Sequence, residues 1–345
     1  MKRIFALFFC IIFTLSLFGC KGKKENDINE NSSSLAGEAM SSGVDNVSSK
    51  TPSETEAASS LLQSAEVGSS PTVSTEQVSS VAPLPNVTLP TREPLQVFTF
   101  TVNDPDNSLG LNTERRGFSY GVAKNGVPHS QSIANQATFD SFPNVKALAL
   151  DTKTREKVMY LTFDNGYEYQ NLTASILDTL KEKQVKAAFF VTLDYAKKNP
   201  YLVERMINEG HIVGNHSTTH PSFPKLTRPQ MAEEIGTLDN YLRANFGYSS
   251  PYFRFPEGAY SECALELVTS IGFHSVFWSV AYADWDTSTQ KGPDYAHTTV
   301  TSRFHPGAVI LLHAVSKDNA NALGRIIDTA VAEGYSFASL DDYFN

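Results

Sequence analysis

The sequence predicts an α/β fold in which short parallel strands alternate with helices, and two observations support this prediction. From Val158 onward, short runs rich in valine, isoleucine and aromatic residues alternate with longer stretches in which apolar residues recur at helical spacing. The alternation repeats about seven times, which is typical of a mostly parallel sheet covered by helices. This spacing is compatible with an open doubly wound sheet and with a small distorted barrel.

The first 19 residues predict export from the cytoplasm. Lys2 and Arg3 precede an apolar run over residues 4–18, which has the length of a signal-peptide core and is too short to cross a membrane comfortably. The run ends in Gly19-Cys20, which resembles the bacterial lipoprotein signal, where the cysteine is lipidated and becomes the mature N-terminus. We therefore expect a signal peptide over 1–19 and a membrane-anchored lipoprotein that faces the cell wall. An ordinary cleaved signal is the alternative.

Residues 20–95 predict a linker without a folded core. This stretch is rich in serine, threonine and glutamate and contains no aromatic residue, so it lacks the apolar surface that offsets the entropy of ordering a chain. We expect a disordered tether here, and a separate folded domain is the alternative. Aromatic residues return at Phe98 and Phe100, and residues 96–156 are expected to form a short strand and extended segments that cover the main domain. That domain is expected over 157–345.

Seven strands are predicted in the main domain. They cover residues 158–163, 187–191, 211–214, 251–254, 274–278, 308–312 and, more weakly, 335–338. Helices fit between them, because apolar residues recur at helical spacing over 172–180, 202–207, 231–242 and 323–330. Thr227 with Pro229 predicts a helix start, and three glycines mark expected helix ends: Gly210, Gly272 and Gly334.

The charge balance and the cysteines exclude two classes of protein. The chain has 28 Lys+Arg against 37 Asp+Glu, a net charge of −9, and without Lys2 and Arg3 the balance is 26 against 37, or −11. Such an acidic chain repels polyanions, so nucleic acid is not expected as a partner. Cys10 and Cys20 lie in or beside the N-terminal apolar run, so the three cysteines cannot form a disulfide framework. Cys263 is expected to be a small buried side chain near a helix start.

Side chains that can take part in catalysis or ligand binding follow the predicted strands. They are Asp164 and Asn165 after the first strand, His216 and His220 after the third, Arg254 and Glu257 at the fourth, Asp284 and Trp285 after the fifth, and His313 after the sixth. Because the carboxyl ends of parallel strands meet at one edge of a sheet, we expect these side chains to lie together. Each has a structural alternative, such as a helix cap for Asp164 or an ordinary ion pair for Arg254. Their shared placement favours a functional site.

The residue types suit metal-assisted hydrolysis of an amide or ester. The four-residue spacing of His216 and His220 can bring two imidazoles to one metal ion, although two unrelated histidines are the alternative. Asp164 suits the base that takes a proton from water, and His313 suits the acid that protonates the leaving group. Arg254 could keep Asp164 ionised, and Asp284 could orient and favour protonated His313.

These motifs, in this order, resemble those of the polysaccharide deacetylase family, which shares the NodB homology domain and is also called carbohydrate esterase family 4. The similar segments are residues 162–168 (TFDNGYE), 216–220 (HSTTH), 254–258 (RFPEG), 284–285 (DW) and 311–313 (LLH). The resemblance covers residues 158–345 and extends upstream to about Arg115. Residues 162–168, 215–217 and 312–320 look most like the subgroup that removes acetyl groups from muramic acid in peptidoglycan for δ-lactam formation.

The resemblance implies a distorted (β/α) barrel that removes N-acetyl groups from peptidoglycan amino sugars, N-acetylmuramic acid in particular, and releases acetate. It implies the following site: Asp164 as base, His313 as acid, Arg254 and Asp284 as their positioning partners, His216 and His220 as ligands of zinc or a similar divalent metal, and Trp285, Leu311, Glu257 and Tyr260 as substrate-binding residues. The expected partners are a cell-wall glycan and, through lipid on Cys20, the membrane. A monomer is expected.

Two residues depart from the family pattern. Asn165 stands where most members have a metal-binding aspartate, and a neutral amide is a poorer ligand, so weak metal binding is expected. The muramic subgroup shares this asparagine. Glu257 stands where that subgroup has a second arginine, and a carboxylate there would repel an acidic substrate. A deacetylase of chitin-like or O-acetylated polysaccharide, or a catalytically silent wall-binding module, are the alternative functions.

Overall fold

The computed structural model describes residues 92–345 of the chain. The predicted signal peptide, Cys20 and the predicted linker up to residue 91 lie outside the described residues. Arg92 and Leu95, at the end of that predicted linker, already contact the folded domain: the Arg92 guanidinium pairs with Glu204 at 2.7 Å, and the Leu95 amide donates to the Arg243 carbonyl at 2.9 Å. No helix within the described range is long and apolar enough to cross a membrane.

Ten short strands are formed within residues 92–345. They are β1 (Arg116–Gly117), β2 (Ala147–Leu148), β3 (Val158–Asn165), β4 (Ala188–Val191), β5 (Ile212–Asn215), β6 (Tyr252–Phe253), β7 (Ala259–Tyr260), β8 (His274–Val276), β9 (Ala308–His313) and β10 (Ser336–Phe337). Eight of them form one parallel sheet in the order β10-β3-β4-β5-β6-β8-β2, with β9 paired to β3. The other two, β1 and β7, form a small antiparallel ribbon.

Nine helices accompany these strands in the described part of the chain. They are α1 (Ser130–Ser141), α2 (Leu172–Glu182), α3 (Leu193–Lys198), α4 (Pro200–Asn208), α5 (Arg228–Phe246), α6 (Glu262–Ser270), α7 (Pro293–Thr301), α8 (Lys317–Ala332) and α9 (Leu340–Phe344). The predicted start of α5 is confirmed, since Thr227 caps it and forms a reciprocal capping box with Gln230. The three marker glycines follow α4, α6 and α8 with positive φ angles, which end each helix.

The core lies between the central strands and the helices. Phe163 and Phe189 on β3 and β4 are fully buried, and they pack with Ile176 of α2 and Leu323 of α8. The predicted apolar stripes of the helices therefore face the sheet. Burying one such side chain stabilises the fold by about 1.5–3 kcal/mol.

The sheet curves into the predicted distorted barrel. β9 pairs with β3 along one edge, and isolated bridges join Ile310 of β9 to Val280 and Ala308 of β9 to Leu150. These bridges connect β9 to the segments that follow β8 and β2, at the other end of the strand order. The strand ends therefore surround one opening.

Residues 96–156 contribute more to the domain than a cover. They include the helix α1, which the sequence does not predict, and β2, which pairs with β8 in the main sheet. The helix buries one apolar residue, Phe139, instead of an apolar stripe, and polar contacts attach it to β2. The Gln136 amide donates to the Ala147 carbonyl at 3.0 Å and accepts from the Ala149 amide at 2.7 Å. A hydrophobic periodicity search cannot detect such a helix.

Candidate active site

A cavity of about 960 Å³ opens where the parallel strands end. Four of the predicted catalytic and metal-binding residues line it: Asp164, His216, His220 and His313. Aromatic side chains, Tyr120, Tyr167, Trp278, Tyr282 and Trp285, form much of the remaining wall. The volume lies at the upper end of the range for ligand sites, and aromatic walls with few polar groups are typical of such sites.

The register of β3 and β9 places Asp164 beside His313. The two residues are direct partners across the parallel pair, and the Ala314 amide donates to the Asp164 carbonyl at 3.2 Å. Neighbouring strands lie roughly 4.8 Å apart, so both side chains rise from adjacent points of the cavity floor. The sheet therefore brings a carboxylate and an imidazole together from positions 149 residues apart in the sequence (313 minus 164).

Arg254 holds Asp164 from inside the barrel. This arginine is fully buried, and its guanidinium donates to Asp164 Oδ1 at 2.8 Å, to Thr162 Oγ1 at 2.9 Å and to the Val276 carbonyl at 3.0 Å. Burial disfavours the charged form of Asp164, but the charge of Arg254, the neighbouring His216 and His313 and the hydrogen bond from Arg254 together lower the pKa of the carboxyl below its usual value. Asp164 is therefore held ionised.

Asp284 holds His313 in a defined orientation. Its Oδ1 lies 2.7 Å from His313 Nδ1, and its Oδ2 accepts from the His313 backbone amide at 2.8 Å. Since Nδ1 faces a carboxylate, Nε2 is left to exchange a proton in the cavity. Burial works against protonation, but the charge of Asp284 and its hydrogen bond raise the pKa of His313 above its usual value. Its side chain remains 24% exposed, so the proton has a route to the cavity.

Asn319 is a site residue to which sequence reasoning assigned no role. Its amide donates to Asp284 Oδ2 at 2.5 Å, and its own oxygen accepts from the Tyr282 hydroxyl at 2.5 Å. The residue is fully buried at the start of α8, capped by Ser316. A chain of hydrogen bonds from Tyr282 through Asn319 and Asp284 thus ends at His313. Its signal in the sequence was its place within residues 312–320, a segment that resembles the muramic subgroup.

The two histidines of the second motif, His216 and His220, lie next to each other, and His216 is in the neutral form that can bind a metal ion. His216 Nδ1 lies 2.8 Å from the Arg254 carbonyl, which can only accept, so Nδ1 carries the proton and Nε2 keeps a lone pair that can bind a metal ion. Burial lowers the pKa of His216 to about 4, so the ring is neutral. Nε2 lies 3.6 Å from Asp164 Oδ2, and the His220 ring is centred 4.8 Å from the His216 ring.

Glu234 on α5 holds the loop that carries these histidines. Its carboxylate accepts from the backbone amides of Thr218 and Thr219 at 3.0 and 2.8 Å, and from the Thr219 hydroxyl at 2.7 Å. His220 has a positive φ of 59°, a conformation that these contacts help to impose. Sequence reasoning missed Glu234 because it lies on a helix between the motifs.

The imidazoles of His216 and His220 are suitable ligands for a divalent metal such as zinc. Among residues 92–345 no group of three His, Cys, Asp and Glu side chains could hold a metal, so further ligands would come from water or substrate. Asn165, predicted as a weak ligand, is fully buried, donates to Thr173 Oγ1 at 3.2 Å and does not line the cavity. Successive strand residues face opposite sides, so the Asn165 side chain leaves β3 on the side opposite to Asp164. Its Oδ1 has no hydrogen-bond partner among the described residues, and its part as a weak metal ligand stays a prediction.

Three of the four predicted substrate-binding residues line the cavity. Leu311 is buried in its wall, Trp285 is 57% exposed with its ring centred 5.8 Å from the His313 ring, and Glu257 is exposed at the rim. Tyr260 does not line the cavity and is a correction to the prediction. It lies in β7, where its ring packs 5.7 Å from Phe139 and 5.3 Å from Phe277.

Comparisons with known proteins agree with this geometry. A family model described as Polysaccharide deacetylase matches residues 151–276. The peptidoglycan-N-acetylmuramic acid deacetylase PdaA of Bacillus subtilis is 44% identical over 190 residues, covering 55% of this chain and 72% of that relative. The peptidoglycan-N-acetylglucosamine deacetylase of Bacillus cereus is 35% identical over 190 residues, covering 53% of this chain and 67% of that relative.

The solved structures show the same fold. The structure of Bacillus subtilis PdaA, described as a family 4 carbohydrate esterase, matches with a TM-score of 0.62 at 38% identity. The match covers 67% of this chain and 97% of that chain. With the motifs, the curved parallel sheet and these relatives in agreement, the chain belongs to the polysaccharide deacetylase family of hydrolytic enzymes, carbohydrate esterase family 4.

Proposed function

We propose that this enzyme removes the N-acetyl group from N-acetylmuramic acid residues of peptidoglycan and releases acetate. The observation that carries the reaction is the placement of Asp164 and His313 as cross-strand partners, each held by a buried group of opposite charge. The muramic substrate is supported by the similarity to Bacillus subtilis PdaA at 44% identity.

The geometry supports general acid–base catalysis. Ionised Asp164 takes a proton from water as the water oxygen attacks the acetyl carbon. Protonated His313 gives its Nε2 proton to the sugar nitrogen as the carbon–nitrogen bond breaks, which leaves a free amine and acetate. Arg254 and Asp284 keep the two groups in these protonation states. A divalent metal such as zinc, held by His216 and His220, would polarise the acetyl carbonyl and lower the pKa of the attacking water.

The proposed site of action is the cell wall, outside the cytoplasm. The signal-like sequence over residues 1–19 and the following Cys20 support export and a lipid anchor, and the aromatic-free stretch that follows supports a tether. Such a tether would let an anchored enzyme reach the glycan strands.

A second candidate substrate is N-acetylglucosamine in peptidoglycan or a chitin-like polymer. Glu257 at the cavity rim favours it, because a carboxylate there repels the acidic lactyl group that distinguishes muramic acid. The Bacillus cereus relative, named for N-acetylglucosamine, is 35% identical.

Mass spectrometry of glycan fragments tests the proposal directly. The purified chain is incubated with peptidoglycan fragments and with chitooligosaccharides, with added zinc or with a chelator. We expect loss of an acetyl group from muramic residues, less loss with chelator, and none with the Asp164→Asn variant. Loss from glucosamine residues alone would support the second candidate, and equal activity of Asp164→Asn would overturn the catalytic assignment.

A further inference from the structure

Among residues 92–345, the rim of the cavity carries acids and neither lysine nor arginine. Asp194 and Glu257 are the acids that line it there. Each rim acid has a cation beside it: Lys198 pairs with Asp194 at 2.9 Å, and Arg115 pairs with Glu257 at 3.4 Å. At the rim, the cations of these two ion pairs are therefore the candidate counter-charges for an anionic substrate.

Backbone contacts fix the position of Arg115. The carbonyl of Asn112 accepts from the Cys263 amide at 3.0 Å, and the Phe118 amide donates to the Gly258 carbonyl at 2.9 Å. Between these points the β1–β7 ribbon pairs Gly117 with Ala259. Arg115 thus lies between two backbone contacts, one to the start of α6 and one to the turn that carries Glu257.

Glu257 is fixed in the same way. It has a positive φ of 58° within a short turn that follows β6, where the next residue begins to pair with the ribbon. The side chains of Arg115 and Glu257 remain 49% and 55% exposed. Two charged groups are therefore set side by side on fixed backbones with free ends at the cavity rim.

The geometry of the Arg115–Glu257 pair allows Arg115 to leave Glu257 for another carboxylate. Its distance of 3.4 Å is longer than a charge-assisted hydrogen bond of about 2.7–2.9 Å, and it uses one nitrogen of the guanidinium. An exposed pair of this kind contributes little to stability, so breaking it costs little. The planar fork of arginine can then bind another carboxylate through two parallel hydrogen bonds.

We propose that Arg115 is the carboxylate-binding residue of this cavity and that it exchanges Glu257 for the lactyl carboxylate of a muramic residue. Glu257 competes for the same guanidinium and weakens the binding of a lactyl carboxylate, whereas Arg115 favours glycan whose lactyl group is free. A lactyl group amidated by a stem peptide has no charge and gains nothing from Arg115. The inference rests on the proposed muramic substrate.

Binding measurements on the full chain test the exchange without turnover. The Asp164→Asn chain, or His313→Gln if the first does not fold, is titrated calorimetrically with muramic-containing glycan fragments. One set carries free lactyl carboxylates, and a matched set has them amidated. Arg115→Ala, Glu257→Gln and, as the matched control from the other rim ion pair, Lys198→Ala are added singly.

We expect Arg115→Ala to raise the Kd for the free-carboxylate glycan by roughly three- to tenfold and to leave the amidated glycan unchanged. Glu257→Gln should lower the Kd for the free-carboxylate glycan only, and Lys198→Ala should change neither. Equal effects of Arg115→Ala on both glycans, or an effect of Lys198→Ala as large, would overturn the inference. The acetyl-loss experiment judges the proposed reaction independently, because binding to Arg115 does not require turnover.

Discussion

Arg254 shows how one residue joins the fold to the chemistry. It is fully buried, it lies over the Phe190 ring with its charge 4.2 Å from the ring centre, and its donors reach two side chains and two backbone carbonyls. Such a group is costly to bury unless every donor is satisfied. Here the arrangement places its charge against the proposed catalytic base.

Replacement of Arg254 by methionine should destabilise the protein strongly. The variant would leave the Asp164 carboxylate buried without its charge partner, and breaking such a pair costs about 3–5 kcal/mol. Urea unfolding followed by circular dichroism would measure the change. Arg325→Met is the matched control, because Arg325 forms an exposed pair with Asp294 at 2.8 Å and should cost at most about 1 kcal/mol. Equal losses in both variants would contradict the role given to Arg254.

The pH dependence of kcat/KM should report His313. Activity requires the protonated ring, so kcat/KM should fall as pH rises through the pKa of His313, which Asp284 raises above its usual value. Asp284→Asn removes the negative charge that raises this pKa, so the alkaline fall should move to lower pH. Asp286→Asn, which changes an exposed carboxylate two residues away, should leave the profile in place. An unmoved alkaline limb in Asp284→Asn would refute His313 as the acid.

At the scale of elements, helices outside the motifs support the site. The start of α8 holds Asp284 through Asn319, and α5 holds the histidine loop through Glu234. The catalytic strands alone would place the side chains at one edge, but their orientation depends on these helices. The orientation of the catalytic and metal-binding side chains therefore depends on the residues that hydrogen-bond to them.

The Glu234→Gln variant should bind zinc more weakly than the parent chain. A neutral amide accepts less strongly than a carboxylate from the Thr218 and Thr219 amides, so the loop should hold its two imidazoles less firmly. Loss of supporting contacts of this kind typically costs 10–100-fold in metal affinity, and calorimetric titration with zinc would measure it. The neighbouring Glu233→Gln, at an exposed position of the same helix, is the control. Equal affinity in both variants would argue against a supporting role for Glu234.

At the scale of the whole molecule, the N-terminal part of the described chain completes the barrel. β2 extends the sheet beyond β8, and Phe118 packs against Phe277 with ring centres 4.6 Å apart. The same segment carries Tyr120, which lines the cavity, and Arg115, which pairs with Glu257 of the rim. The domain that folds is therefore larger than the stretch bearing the five motifs.

Truncated chains should distinguish a domain that begins near residue 92 from one that begins at residue 157. A chain starting at residue 92 should unfold cooperatively and keep its activity, because it retains α1, β2 and the β1–β7 ribbon. A chain starting at residue 157 should lose cooperative unfolding, since it exposes an edge of β8 and the apolar surface around Phe277. Thermal unfolding by circular dichroism and acetate release would measure both. Full stability of the shorter chain would contradict the larger domain.

The amino-acid sequence by itself determined the alternation of strands and helices, because buried faces impose their period on the sequence. The seven predicted strands match β3 to β6 and β8 to β10 within about two residues. It also determined that acid, base and imidazole groups meet, because parallel strands end at one edge. Only the tertiary structure decided what Asn319, Glu234 and Arg115 touch and that Tyr260 faces the core instead of the cavity. Those outcomes depend on contacts between residues distant in sequence, and no local spacing or propensity encodes such contacts.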